Sequence, residues 1–192
     1  MKQLFKLTGC MALAGIFASC QSAQQEANYQ IIPMPLEIVT AQGSPFILKS
    51  SLKILYPGGN EKMQRNAKFL ADYLKTATGK DFAIEAGTEG KNAIVLALGT
   101  ENENPESYQM KVTGDGITIT GPTEAGVFYG IQSLRKSFPV AVGADIAMPA
   151  VEINDAPRFG YRGAHFDPSR HFFTVDEIKT YIDMQALHNM NR

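Results

Sequence analysis

Arg162 is the residue of this chain best suited to contact a ligand. It lies in residues 160–167, a short and mostly apolar segment that is typical of a β-strand. A guanidinium on an apolar strand is costly unless a partner pairs with it, and its fork of N–H donors suits a carboxylate or the neighbouring hydroxyl groups of a ligand. Two interpretations stay open from the residues alone: contact with a substrate, or a structural ion pair between strands.

Asp167 stands at the carboxyl end of the same segment, five residues after Arg162. On a regular strand that spacing places the two side chains on opposite faces. Barrel enzymes carry functional groups at this end of their strands. The spacing favours a supporting role for Asp167, which would hold the following loop, Arg170 or His171, over direct catalysis.

Asp176 and Glu177 are the only adjacent Asp-Glu pair in the chain. They follow Thr174, and Thr174 with Glu177 has the spacing of a capping box. Acidic side chains are also favoured in the first turn of a helix by its dipole. We therefore predict that this pair caps a helix over residues 175–190 and has no catalytic role.

Metal ions, cofactors and nucleic acids are not predicted as ligands. His165, His171 and His188 have no metal-ligand spacing. The turn at 121–126 lacks the Lys-Ser/Thr of a phosphate-binding loop. The net charge is −1 and no basic run occurs, which argues against a nucleic-acid partner.

The elements that position Arg162 form a β/α unit preceded by a small domain. Residues 160–167 and the helix over 175–190 make the unit, the building block of parallel sheets and (β/α)8 barrels. Before it, helices are predicted over 60–76 and 123–138 from their caps and apolar stripes. Strands are predicted over 37–40, 46–48, 52–56, 82–85, 93–98, 108–112, 117–120 and 148–153. The fold class is α/β (α+β), a small, mainly antiparallel sheet with two helices on one face over residues 31–154, followed by a barrel start over 155–192.

The N-terminal end is typical of an export signal. Lys2 and Lys6 precede an apolar core and a small-residue cleavage site before Cys20, and that core is too short to span a bilayer. The cysteine after Ala-Ser is similar to a bacterial lipobox, so residues 1–19 are predicted to be removed and Cys20 to become the lipid anchor. Residues 20–30 are polar and predicted to be a tether. The expected localisation is the bacterial cell envelope, with the membrane contacted only through the lipid.

The last 38 positions match a phrase of a known protein family at many residues. Their order is similar to the phrase that opens the catalytic domain of family 20 glycoside hydrolases, the β-N-acetylhexosaminidases. The matching residues are Asp155, Pro157, Arg158, Phe159, Arg162, Gly163, Asp167, Ser169, Arg170, His171, Phe172, Met190 and Asn191. The phrases at 116–121 and 126–134 also resemble the hairpin and second helix of the N-terminal domain of that family.

The resemblance implies a function and a mechanism for the parent protein. A β-N-acetylhexosaminidase of this family removes terminal N-acetylhexosamine from glycans by substrate-assisted retention, an exception to the two-carboxylate scheme. The 2-acetamido oxygen of the substrate attacks the anomeric carbon, a Glu protonates the leaving oxygen and an Asp orients the acetamido group. The arginine matching Arg162 binds sugar hydroxyls. The family's Asp-Glu pair belongs to a later barrel strand, so the 192 residues are expected to be inactive alone, and a (β/α)8 TIM barrel of about 250 residues cannot be complete in them.

A non-enzymatic interpretation stays open beside this one. The chain could be an envelope lipoprotein whose α/β domain binds a glycan or a partner protein. The sequence makes no prediction of oligomeric state or of the preferred hexosamine.

Overall fold

A computed structural model describes residues 25–99, 102–140 and 145–192. It contains ten strands and three α-helices in these ranges. The strands are β1 (Gln25–Glu26), β2 (Glu37–Thr40), β3 (Phe46–Ile47), β4 (Lys53–Tyr56), β5 (Ala83–Ala86), β6 (Ala93–Leu98), β7 (Tyr108–Thr113), β8 (Gly116–Gly121), β9 (Ile146–Met148) and β10 (Val151–Asp155). The helices are α1 (Glu61–Thr78), α2 (Glu124–Ser137) and α3 (Val175–Leu187).

Seven strands form the main sheet in the order β2-β10-β7-β8-β6-β4-β5. The pairs from β2 to β8 are antiparallel, whereas β8, β6, β4 and β5 pair in parallel. The parallel half arises because α1 connects β4 to β5 as a crossover, which returns the chain in the same direction. The α/β fold class is confirmed, and the antiparallel strands share the sheet with this parallel half.

The three helices begin where the sequence predicts. Asn60 accepts hydrogen bonds from the backbone N–H groups of Lys62 and Met63, and the Thr123 side chain accepts one from Gly126. Gly79 ends α1 in the left-handed conformation, with φ of 71°, which glycine adopts at no steric cost. These local bonds satisfy N–H and C=O groups that have no partner inside a helix.

One hydrophobic core joins the sheet to α1 and α2. Both helices pack on the same face, and the hydroxyls of Tyr108 on β7 and Ser133 on α2 lie 2.6 Å apart and are hydrogen-bonded. Apolar residues with no exposed surface from the sheet and the two helices include Ile54, Ile94, Leu96, Met110, Val112, Ile117, Ile119, Met63, Leu70, Leu74, Val127, Ile131 and Leu134. This core fixes the strand and helix ends from which the candidate site is built.

The prediction of one strand over 148–153 is wrong. The chain instead forms β9 and β10, which belong to different sheets. Between them lies Pro149, which has no N–H to donate to a ladder and therefore interrupts the pairing. β9 pairs with β1 and β3 in a three-stranded sheet.

The predicted tether differs from the structure at residues 25–30. Gln25–Glu26 pairs with β9, Ala27 is buried, and the Tyr29 hydroxyl donates to the Pro149 carbonyl at 2.8 Å. Ala27 and Tyr29 pack on the core, which outweighs the polar composition around them. Residues 1–24, with the predicted signal and Cys20, lie outside the described residues. Of the helices described, none has the length and apolarity needed to cross a bilayer.

Residues 160–167 form no regular strand in the structure. A strand needs a neighbour to complete its backbone hydrogen bonds, and no described strand lies beside this segment. Its partners are the end of the chain and α3: the N–H groups of Asn191 and Arg192 donate to the Arg162 carbonyl, and Gln185 donates to the Ala164 carbonyl. The predicted helix after it is present but ends at Leu187, because Asn189 turns left-handed with φ of 59°.

Lys136, in the last turn of α2, should make stability depend on pH. Its Nζ is buried and has no hydrogen-bond partner among the described residues. Burial lowers the pKa of Lys136 to about 8, although the Asp155 carboxylate opposes this. Between pH 8 and the ordinary lysine range near 10.4, the unfolded chain binds more protons than the folded one, so stability rises with pH.

We expect Lys136→Met to raise the free energy of unfolding at pH 7 by about 1 kcal/mol, after allowance for solvent screening. Urea denaturation at pH 7 and pH 9.5 tests this, and the gain on going to pH 9.5 should be smaller in the variant. Lys62→Met on exposed α1 is the matched control. A variant less stable than wild type at pH 7 would show that the buried Lys136 ammonium does not destabilise the folded protein.

Candidate functional site

Arg162 turns its side chain towards the N-terminal domain and away from bulk solvent. The guanidinium Nη1 lies 2.8 Å from Oε2 of Glu106, and the side chains of Arg162 and Glu106 are only 16% and 22% exposed. Nη1 also donates to the Phe159 carbonyl at 2.7 Å, and Nε donates to the Asn189 carbonyl at 2.6 Å. Three of the five N–H groups are thereby committed to protein acceptors.

The Glu106 carboxylate joins three parts of the molecule. Besides Arg162, it accepts hydrogen bonds from Nδ2 of Asn191 at 3.1 Å and from the Tyr129 hydroxyl at 3.4 Å. The Tyr129 ring also lies under the guanidinium, with its centre 5.3 Å from Cζ of Arg162, in a cation–π arrangement. The arginine is therefore held by an anion and by an aromatic face.

A tight loop before β7 positions Glu106. The Asn104 side chain accepts from the Glu106 N–H at 3.0 Å and donates to the Pro157 carbonyl, also at 3.0 Å. Behind the loop, α2 comes so close that a Cβ on Gly126 would lie 2.1 Å from the Ser107 carbonyl oxygen. Only glycine permits that approach, which fixes the position of the loop relative to α2.

The electrostatics of the pair favour an ionised Glu106. Burial opposes ionisation, but the hydrogen bonds from Arg162 and Asn191 and the charge of Arg162 outweigh it and lower the pKa of Glu106. Burial, with the nearby Glu106 charge, raises the pKa of Tyr129, so its hydroxyl stays protonated and can donate. Glu106 is therefore a carboxylate at neutral pH.

A cavity of about 320 Å³ lies between the N-terminal domain and the C-terminal segment, with Arg162 and Asn189 in its wall. Tyr108, Tyr129 and Phe159 supply aromatic surface. Nη2 of Arg162 and Oδ1 of Asn189, a residue only 7% exposed, are buried without a hydrogen-bond partner in the described part of the chain. Unpaired buried polar atoms carry a free-energy cost of about 1–3 kcal/mol.

Two family models match adjacent parts of the chain. Residues 28–156 match domain 2 of glycosyl hydrolase family 20, and residues 159–192 match the catalytic domain of the same family. The chain belongs to glycosyl hydrolase family 20. The cavity that Arg162 helps to line thus lies where the family's two domains meet.

Individual family 20 proteins are similar along most or all of the chain. A beta-hexosaminidase of Porphyromonas gingivalis is 32% identical over all of this chain and 26% of its own length. The GH20 beta-N-acetylhexosaminidase of Streptomyces coelicolor has a TM-score of 0.77 at 31% identity, over 88% of this chain and 35% of its own. A mutant Streptomyces plicatus beta-hexosaminidase in complex with its product GlcNAc also has a TM-score of 0.77 at 31% identity, over 85% of this chain and 33% of its own. The chain therefore spans about a quarter to a third of these relatives.

Asp167, His171 and the Asp176-Glu177 pair of this family 20 chain are not among the residues that line the cavity. Asp167 accepts from the Ser169 N–H at 3.0 Å and pairs with Arg170 at 3.1 Å, which are the contacts expected of a residue that supports this loop. Thr174 and Glu177 form the predicted capping box. His171 contacts the Phe172 carbonyl. The described residues contain no cluster of metal-ligating side chains.

The ion pair that the sequence left open does exist, but with a different partner. Arg162 pairs with Glu106 of the N-terminal domain, not with a second barrel strand. Sequence reasoning missed Glu106 because an isolated acidic residue in a loop is usually solvated. Asn191 is one of the residues that match the family phrase. Its hydrogen bond to Glu106 gives a structural reason for an asparagine at position 191.

Proposed function

We propose that this chain acts as the N-terminal part of a β-N-acetylhexosaminidase that removes terminal N-acetylhexosamine from glycans. The single observation that carries the proposal is the match to both family 20 domains, over residues 28–156 and 159–192. Relatives that carry the activity in their names extend well beyond this length. The substrate is a glycan, and retention by the substrate's own acetamido group is the proposed chemistry.

Arg162 is the proposed contact to the sugar. Its Nη2 offers two N–H donors that no described residue accepts, and Arg162 is among the residues that line a cavity with aromatic walls. A guanidinium edge of this kind suits two neighbouring hydroxyls of a pyranose. Glycan substrates present such hydroxyls, and a bound sugar ring would cover the aromatic surface.

The proposed catalytic Asp-Glu pair belongs to residues beyond these 192. Purified as it stands, the chain is expected to release no detectable aglycone from an aryl N-acetylglucosaminide, whereas the protein joined to the remaining barrel should turn it over. The coding sequence after Arg192 distinguishes this from the binding-module alternative. An immediate stop codon, or turnover by the 192 residues alone, would contradict the proposal.

We propose that Cys20 carries the lipid that anchors the protein in the cell envelope. The support is its position after an apolar leader and Ala-Ser. Metabolic labelling with an alkyne fatty acid should mark the wild type and leave Cys20→Ser unmarked, and membrane fractionation should move the variant to the soluble fraction. Equal labelling of the two proteins would rule the anchor out.

A further inference from the structure

A loop before β2 exposes three large apolar side chains. Ile32, Met34 and Leu36 are 75%, 74% and 71% exposed. The chain from Gln30 to Leu36 contains no charged residue. Contiguous exposed apolar surface marks interaction sites, whereas single scattered apolar residues do not. We call residues 32–36 the apolar loop.

The apolar loop is held in place by the domain behind it. Ile31, directly before the loop, is only 5% exposed, and the N–H of Leu36 at its end donates to Oδ1 of Asp155 at 3.2 Å. Pro33 and Pro35 restrict the backbone between these two points. A surface that is already ordered loses little conformational entropy when it is covered, which favours its use in binding.

The apolar loop continues the surface along which the two family 20 domains meet. Met34 and Leu36 line the cavity between the N-terminal domain and the C-terminal segment. Phe159 lines the same cavity from the C-terminal side and is itself 65% exposed. Asp155, which binds the Leu36 N–H, ends β10 shortly before that segment. Protein that packs on Phe159 from outside therefore borders the apolar loop.

The C-terminal segment also has apolar surface left to cover. The helix α3 contains no buried residue, and its Val175, Ile182 and Met184 are 67%, 55% and 49% exposed. The match to the catalytic domain covers residues 159–192, while the whole chain spans 26% of the Porphyromonas gingivalis relative and 35% of the Streptomyces coelicolor one. Most of the length of these relatives thus lies outside the region they share with this chain.

We propose that the apolar loop is a docking surface for the rest of the catalytic domain, the part that follows Arg192 in the complete protein. The inference rests on the proposed function, which supplies that part. Burial of apolar surface on both sides holds two domains together without any charge. The loop thereby adds an apolar contact to the Glu106–Arg162 ion pair as a link between the domains.

Methionine oxidation reports directly whether Met34 is covered. Peroxide oxidises exposed thioethers faster than buried ones. We expect Met34 to be oxidised at least about 10-fold more slowly in the complete protein than in the 192-residue chain, as measured by mass spectrometry. Met63, Met110 and Met148 have no exposed surface and should react slowly in both proteins, which shows that each protein is folded.

Every other occupant of the loop gives a different result. Oxidation of Met34 at the same rate in both proteins overturns the docking surface. Protection within the 192-residue chain that grows with its own concentration assigns the loop to a second copy. Protection only by vesicles of phosphatidylethanolamine and phosphatidylglycerol assigns it to a lipid surface. Both of these results also overturn the proposal.

Activity separates this inference from the proposed function. A complete protein that hydrolyses an aryl N-acetylglucosaminide while Met34 stays reactive overturns only the docking surface. A complete protein that protects Met34 but has no such activity overturns only the proposed function.

Met34→Asp gives a second test through stability. Because the side chain is exposed in the 192-residue chain, the variant should unfold there within about 1 °C of the wild-type temperature. In the complete protein, a carboxylate at an apolar contact should lower the unfolding temperature by about 3 °C or more. Val140→Asp is the matched control, because Val140 is fully exposed and is not among the residues that line the cavity. Equal shifts for the two variants in the complete protein would contradict the docking surface.

Discussion

Arg162→Lys is expected to lower kcat/KM for an aryl N-acetylglucosaminide about 100-fold in the complete enzyme. Each hydrogen bond from a charged group contributes about 1.5–3 kcal/mol, and about 1.4 kcal/mol corresponds to a tenfold change in rate. Lysine keeps a positive charge for Glu106 but cannot bind Glu106 and two sugar hydroxyls with one planar group. The loss of one or both hydroxyl contacts should therefore lower kcat/KM about 100-fold.

The control for this prediction is an arginine outside the site. Arg65 lies on α1 with its side chain 77% exposed, so Arg65→Lys should leave kcat/KM within about twofold. Steady-state kinetics of both variants, with thermal unfolding curves to show that each is folded, give the comparison. Similar kcat/KM values for the two variants would mean that Arg162 is a structural residue.

Gly126→Ala is expected to destabilise the N-terminal domain by about 2–3 kcal/mol. The new methyl would meet the Ser107 carbonyl oxygen at 2.1 Å and the Pro105 carbonyl oxygen at 3.4 Å. Overpacking against backbone costs about 1–3 kcal/mol or more, and the higher helix propensity of alanine returns at most about 1 kcal/mol. The loop that carries Glu106 must shift, so the Arg162–Glu106 pair should loosen as well.

Chemical denaturation of the 192-residue chain measures this effect. Gly87→Ala is the matched control, because its methyl would make only ordinary contacts with the Leu55 side chain at 3.7 Å. We expect that variant to stay within about 0.5 kcal/mol of wild type. A Gly126→Ala chain as stable as the control would show that the loop before β7 can move away from α2 at little cost.

Local chemistry made much of the fold predictable. Asn60, Thr123 and Thr174 were identified as caps because each precedes an apolar stripe, and all three accept the expected hydrogen bonds. The strands predicted over 108–112 and 117–120 are present and pair as the β7–β8 hairpin. Such signals depend only on residues a few positions apart.

Long-range pairing was harder to predict for physical reasons. Apolar periodicity marks β4 and β6 as strands but carries no information on their direction, so the parallel half of the sheet was not foreseen. The same limit applies to Glu106 and Arg162, which are 56 positions apart and meet only once both domains are folded. That Arg162 needs a partner was predictable, because a charge in an apolar segment requires one.

The most direct test of the central proposal is a crystal structure of the complete protein with N-acetylglucosamine bound. Two sugar hydroxyl oxygens should lie about 2.7–3.2 Å from Nη2 of Arg162, while Nη1 keeps its bond to Glu106. A sugar bound in the catalytic domain with every hydroxyl more than about 4 Å from the Arg162 guanidinium would contradict the account.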